Sequence, residues 1–316
     1  MLKVFDAHCD TVFELCEDNS GLFKNNKHID IERLSEFDTY VQVFAAFIDK
    51  KNISMSPMNE CLRLIDKYKS ELKFNRDRIS PIESLLDLIK AECGGVHSIL
   101  SIEGGEALEG DIANIKKFYD MGVRLITLTW NYANEIADGI TEERGGGLTE
   151  FGKKAVSVME DIGIMIDVSH LSYKGFFDVA ENTRYPFAAS HSCVKSLCSN
   201  QRNLDDEQIK TIINRNGFIG VNFYPLFLYD SGKCKAEKIT EHIRYILDMG
   251  GENVVGLGSD FDGVPYLPDD MKDVRDMRKV LTMIKEMDIS DKTKENIAFG
   301  NLHRLFYDLF KRQAEK

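Results

Sequence analysis

The chain has 316 residues, 43% of them hydrophobic and 29% charged, which excludes a disordered, collagenous or disulfide-stapled protein. Lys+Arg 40 against Asp+Glu 52 leaves a formal charge of −12, so a general nucleic-acid or anionic-membrane binder is excluded for want of a basic face. The sequence has no run of about 18 apolar residues to span a bilayer and no signal-peptide pattern in MLKVFDAHCD, and its seven cysteines are odd in number and scattered, so it reads as a cytoplasmic chain with reduced thiols.

Along the chain, short apolar β-branched runs alternate with longer amphipathic stretches. The runs cover residues 3–7, 41–48, 98–103, 124–130, 164–170, 187–191, 218–224 and 253–260. Most are apolar on both sides, as buried parallel strands are. The stretch 56–91 is long enough for two helices. Residues 148–162 carry Phe151, Ala155, Val158, Met159 and Ile162 at helical spacing and stop at Gly163. Residues 206–214, 239–249, 275–287 and 290–312 read as further helices. A length prior of roughly 150 residues per domain suggests two domains. Eight strand–helix alternations instead predict one α/β domain over 1–316, a (β/α)8 TIM barrel with extra C-terminal helices.

In such a barrel the active site lies where the strands end. Five runs end in chemically useful residues: Asp6-Ala7-His8-Cys9-Asp10, Ile102-Glu103, Asp167-Val168-Ser169-His170, Ser190-His191 and Ser259-Asp260. His8 and Asp10, two apart, share a face of an extended strand. Imidazole nitrogen and carboxylate oxygen suit Zn²⁺, with Mn²⁺ or Co²⁺ as substitutes. His170 and His191 would make a second metal position, with Glu103 bridging. Asp260 would stay outside the ligand set and handle protons, and Asp6 is counted with the site's carboxylates.

Other residues have plainer readings. His97 opens its strand at the bottom of the barrel, and His28, His242 and His303 suit solvated or capping roles. Cys9 faces away from His8 and Asp10 and should pack under a helix. Cys193 and Cys198 lack CxxC spacing. Asp260-Phe261-Asp262-Gly263 lacks the further oxygen ligands of a calcium loop.

The motifs DAHCD (6–10), SIEGG (101–105), ITLTWN (126–131), GLTEFG (147–152), IDVSH (166–170), ASHS (189–192), QRN (201–203), GVNFY (220–224) and GSDFDGVP (258–265) fall at these strand ends or their loops. In order and spacing the chain resembles the membrane dipeptidase family, peptidase family M19, a branch of the amidohydrolase-type barrels. The resemblance implies a zinc-dependent hydrolase of free dipeptides, with a C-terminal residue of D- or L-configuration. It implies two Zn²⁺ per chain, one on His8 and Asp10, the other on His170 and His191, with Glu103 between them and a shared hydroxide as nucleophile. Asp260 would move the proton. Arg202 would grip the substrate's C-terminal carboxylate, a bidentate match. Trp130 stands where animal members carry a substrate-contacting His, so an oxyanion donor would fall to the metal or to Asn131 or Arg144. Tyr224 joins Trp130 and Asn131 as an expected substrate contact. Family members are commonly dimers, which implies a homodimer. The signal peptide, lipid anchor and disulfides of animal members are not expected here. A related amide, lactam or lactone hydrolase on the same metals is the alternative, and a non-enzymatic scaffold the remote one.

Overall fold

The computed structural model describes residues 2–49 and 54–316. Its strands are β1 (Lys3–Cys9), β2 (Thr39–Phe47), β3 (Ile79–Pro81), β4 (Gly95–Glu103), β5 (Val123–Thr127), β6 (Met165–Asp167), β7 (Ala188–Ala189), β8 (Phe218–Val221) and β9 (Val255–Leu257). All their pairings are parallel. The ring runs β1–β2–β4–β5–β6–β7–β8–β9, and β9 returns to β1, which closes an eight-stranded barrel. The eight expected strands are these eight. The ninth, β3, lies outside the ring against the first half of β4. Three residues ending in a proline are too short to carry a period of two, and Pro81 suits only such an edge.

The helices on the outside are α1 (Thr11–Glu17), α2 (Ile31–Leu34), α3 (Pro57–Phe74), α4 (Leu85–Ala91), α5 (Ala113–Asp120), α6 (Glu150–Ile162), α7 (Tyr173–Asn182), α8 (Asp206–Asn214), α9 (Pro225–Leu228), α10 (Glu237–Asp248), α11 (Met277–Glu286), α12 (Asp291–Glu295) and α13 (Asn301–Ala314). Their ends follow local chemistry. The Thr149 hydroxyl accepts from Gly152 N at the start of α6, and Gly163 ends it with a left-handed φ of 91°. Asp205 and Gln208 form a capping box on α8.

Inside the barrel, Phe5, Val41, Val43, Ile99, Leu125, Met165, Ala188 and Phe218 fill the lower half. Leu302, Leu305, Phe306, Leu309 and Phe310 of α13 close it from below. Phe5 and Phe306 stack with centroids 5.7 Å apart. With the bottom sealed by side chains, ligands can enter only from the ends of the strands.

β1 carries a bulge, because three steps from Asp6 to Cys9 match two steps on β2 from Gln42 to Phe44. Without it, Cys9 would share a face with Phe5 and Ala7. With it, Phe5 and Ala7 stay in the inner cluster while Cys9 joins the outer one beneath the helices. The bulge therefore lets His8 turn inward where strict alternation would aim it out.

One expectation needs correction. His242 is buried on α10, where its Nδ1 accepts from Val194 N at 3.0 Å and its Nε2 donates to Leu228 O at 3.0 Å, so it ties a loop to the end of α9. His28 takes a capping role, its Nδ1 accepting from Asp262 N at 2.9 Å. His97 bonds Gly94 O near the bottom of β4, and His303 pairs with Glu92. All seven cysteines are free thiols. Among the described residues, no helix is long and apolar enough to cross a membrane.

Candidate metal centre

β4 ends at Glu103, and its two carboxylate oxygens face different groups. Oε2 lies 3.3 Å from His8 Nε2, at the inward turn after the bulge. Oε1 lies 3.0 Å from His170 Nε2 and 3.5 Å from His191 Nε2. Asp10, which begins the turn into α1, brings Oδ2 to 3.3 Å from His8 Nε2, and Asp260 Oδ1 follows at 3.9 Å. Six expected residues from five strand ends therefore meet: five fall into two overlapping groups that could hold a metal ion, His8, Glu103 and His191, and His8, Asp10 and Asp260, and His170 joins them through Glu103 Oε1.

β6, β7 and β9 are shorter than the apolar runs because the chain leaves the ladder to aim these side chains. His170 and Asp260 both adopt left-handed backbone, with φ of 67° and 62°. Asp and His tolerate that region better than β-branched residues do, and such outliers concentrate at functional sites.

Hydrogen bonds on the far ring nitrogens fix what the histidines offer. Asn131 Oδ1 lies 2.8 Å from His170 Nδ1 and can only accept, so that nitrogen carries the proton. Ser190 Oγ donates to Asp167 Oδ2 at 2.6 Å, so at 2.8 Å it accepts from His191 Nδ1. Both Nε2 atoms then present lone pairs, only 2.8 Å apart and both toward Glu103. Two lone pairs at that distance repel unless a cation lies beside them. His8 Nδ1, His8 Nε2 and Asp10 Oδ1 are also buried without a hydrogen-bond partner. The residues fit a metal pair of the nitrogen–carboxylate type.

The electrostatics agree. Burial raises Asp10 well above the carboxylate range, with Glu103 and Asp260 adding to it and His8 opposing. Burial likewise raises Asp260. Glu103 resists burial and is held well below its ordinary value, chiefly by the charge on His8 and by the imidazole edges that face both its oxygens. Burial works against a charged His8, yet Glu103 and Asp10 hold it well above 6.5. Burial lowers His170 to about 4, with Arg202 contributing, and takes His191 well below 6.5, with His8 contributing. Three carboxyl groups thus crowd one buried space that disfavours their ionised forms, a cost that dications would offset.

A cavity of about 290 Å³ opens over the cluster, lined by Asp10, Glu103, His170 and Asp260. Trp130, Asn131 and Tyr224 line it too, as do Phe13, Phe47 and Phe227. Trp130 packs edge-on against Phe47 at 5.3 Å and lies 6.1 Å from the His170 ring. Asn131 has its oxygen committed to His170, so only its NH₂ is left for a substrate. Arg144 forks onto Asp138 at 2.5 and 2.7 Å and does not line the cavity, which removes it as an oxyanion donor. Arg202 is buried beside the cluster: it donates to His191 O at 3.2 Å and lies over the Phe227 ring, but lines an adjoining cavity. Asp6 is not at the cluster. It accepts from Ser259 N at 2.8 Å and Ser259 Oγ at 2.5 Å, tying β1 to the end of β9, and burial raises it to about 6. A larger cleft of about 670 Å³ opens at the opposite end beside Lys3 and His303, and among the described residues no group that could hold a metal lies there.

Several supporting residues were not singled out from the sequence. Asn222 donates to Asp260 Oδ2 at 2.9 Å, which leaves Oδ1 facing His8. Asp167 accepts from Ser169 N, Ser190 N, Thr127 Oγ1 and Ser190 Oγ. Gly263 has no room for a side chain, since a Cβ there would run into Asp10 Oδ2 and Asp260 Oδ1. Asp167, Ser190 and Asn222 all sit inside the quoted motifs, one to three residues from a strand-end ligand or contact, which was the available signal.

The sequence model of the family described as Membrane dipeptidase (Peptidase family M19) matches residues 1–315. A Schizosaccharomyces pombe protein named "Uncharacterized dipeptidase C965.12" is 30% identical over 271 residues, 78% of this chain and 64% of that protein. The chain thus spans less than two thirds of that relative's length. The crystal structure of dipeptidase AC, a metallopeptidase of family M19, superposes with a TM-score of 0.88 at 25% identity, covering 96% of this chain and 98% of that one. A metallopeptidase from Rhodobacter sphaeroides, solved with a phosphinate mimic of the dipeptide L-Ala-D-Ala, shares the fold with a TM-score of 0.87 at 24% identity over 99% of both chains.

Proposed function

The chain belongs to the membrane dipeptidase family, peptidase family M19, and from that membership we propose that it is a metal-dependent hydrolase of free dipeptides. One observation carries the reading: His170 and His191 turn unprotonated Nε2 atoms toward a shared Glu103 oxygen, with both Nδ1 protons already used. His8 and Asp10 would hold one Zn²⁺, His170 and His191 the other, and Glu103 both, with Mn²⁺ or Co²⁺ as substitutes. Two dications so placed would polarise the peptide carbonyl and acidify a water between them.

The chain's own groups do the rest. Asp260, fixed by Asn222 and already biased toward taking a proton, accepts the water's proton through Oδ1 and returns it to the departing amine. Arg202 grips the substrate's C-terminal carboxylate. The rings of Trp130, Phe47 and Tyr224, with the Asn131 NH₂, flank the substrate and exclude water. The dipeptide mimic bound by the Rhodobacter sphaeroides protein supports a two-residue substrate whose second residue can be D. Seven free thiols support a reducing compartment such as the cytoplasm, with 1–316 acting as one domain.

Metal-reconstituted enzyme should hydrolyse dipeptides with free ends and leave N-acylated or C-amidated versions intact. Equal hydrolysis of the blocked peptides would overturn the reading in favour of a general amide, lactam or lactone hydrolase.

A further inference from the structure

Next to the metal-side cavity lies a second one of about 120 Å³, and the two meet at His170, which lines both. Their chemistry is opposite. Asp10, Glu14, Glu103, Asp260 and Asp262 line the first, whereas among the described residues no carboxylate lines the second. In a chain of net charge −12, the second cavity instead holds two cations, Lys195 and Arg202.

Its polar side chains are unusually free. Ser192 Oγ and Arg202 Nε, both able to donate to an anion, are buried without a hydrogen-bond partner, and both residues line this cavity. Buried groups left in that state cost free energy unless a ligand or water meets them. Lys195 is exposed and stands at the rim of this cavity. Tyr173, by contrast, spends its hydroxyl on Glu207 at 3.0 Å. The cavity exceeds the ~30 Å³ that a water occupies in the liquid by enough to take a short side chain.

We propose that this cavity is a specificity pocket for an acidic side chain on the substrate's C-terminal residue. Asp or Glu at that position would send its carboxylate to the Lys195 ammonium and the Ser192 hydroxyl. The main-chain carboxylate would stay with Arg202. This rests on the dipeptidase reading, and it adds which dipeptides the site favours. Lys195 is here a specificity residue, since it touches neither the metal cluster nor the scissile bond.

The test compares kcat/KM for Ala-Glu with Ala-Gln, a pair of nearly equal size, together with calorimetric binding of glutamate against glutamine. Wild type should favour the acidic member by about tenfold in both measurements, the scale of one charge-assisted hydrogen bond. Lys195→Ala should bring the ratio close to one, and Lys195→Glu should invert it and favour Ala-Lys over Ala-Gln. An exposed lysine can be replaced without unfolding the barrel, so both variants report on binding. A wild-type ratio near one, or a ratio untouched by Lys195→Ala, overturns the inference. If metal-loaded enzyme cleaves neither peptide, the dipeptidase reading fails, and the glutamate–glutamine comparison still decides this one.

Discussion

Asp167 holds no atom of the metal cluster, yet replacing it should be felt in two separate measurements. Its carboxylate is fully buried at the end of β6 and accepts four hydrogen bonds. Ser169 N at 3.1 Å and Ser190 N at 2.8 Å meet Oδ1, while Thr127 Oγ1 and Ser190 Oγ, both at 2.6 Å, meet Oδ2. In Asp167→Ala the two amides cannot rotate away, and each orphaned buried donor costs about 1 kcal/mol or more. The loss should therefore lie between about 2 kcal/mol, for the amides alone, and about 4 kcal/mol, if the two hydroxyls find nothing better. Denaturant unfolding of metal-free protein measures it without interference from metal binding. The second effect is on His191. Once Ser190 Oγ has no carboxylate to donate to, its proton turns to His191 Nδ1, the ring takes the other tautomer, and the Nε2 lone pair is lost. Metal affinity should fall about 10–100-fold, as it does when an outer hydrogen bond to a ligand is removed. In the Asp167→Ala background, Thr127→Val should cost less than in wild type, because it removes an orphan. A stability loss under 1 kcal/mol would refute the hydrogen-bond account, and wild-type metal affinity would refute the tautomer chain.

Three further outcomes follow from single contacts. Gly263→Ala forces the Asp10 and Asp260 carboxylates to move by roughly 1 Å to reach ordinary contact distance, which should lower kcat/KM about 10²-fold; normal kinetics would show that the loop yields instead. Asp260→Asn should nearly abolish turnover while leaving metal content unchanged, whereas loss of metal as well would make Asp260 a ligand. His242 is buried and neutral, with its pKa lowered from 6.5 by burial. The unfolded chain takes up that proton first, so His242 contributes stability that is present above pH 6.5 and lost as pH falls below it, by up to about 1.4 kcal/mol per unit. His242→Gln should flatten the stability slope below pH 6.5, and an unchanged slope would contradict the assignment.

The barrel and the polar side chains that meet at its rim were legible because strand ends are local in sequence. A buried apolar run followed by His8, Glu103, His170, His191 or Asp260 announces both a strand and its rim. What stayed hidden depends on neighbours far along the chain. The bulge that turns His8 inward shows only when Asp6–Cys9 is paired against Gln42–Phe44. Asp6 looks like a site carboxylate until Ser259, 253 residues away, takes both its oxygens. His242 reads as a helix-surface residue until the Val194 and Leu228 backbones close over it. Arg144 fails as a donor on a nearer contact, because Asp138, six residues before it, claims its guanidinium. Strand lengths were overestimated at β6, β7 and β9, since apolar character continues where the ladder has already ended so that His170 and Asp260 can turn.

The central claim is that His8, Asp10, Glu103, His170 and His191 hold a catalytic metal pair. The most direct measurement is metal content per chain by elemental analysis, read beside dipeptide turnover before and after chelation. The account predicts about two Zn²⁺ per chain, activity lost on chelation, and both restored together on adding metal back. Fewer than one metal per chain after reconstitution, or turnover that survives complete chelation, would contradict it.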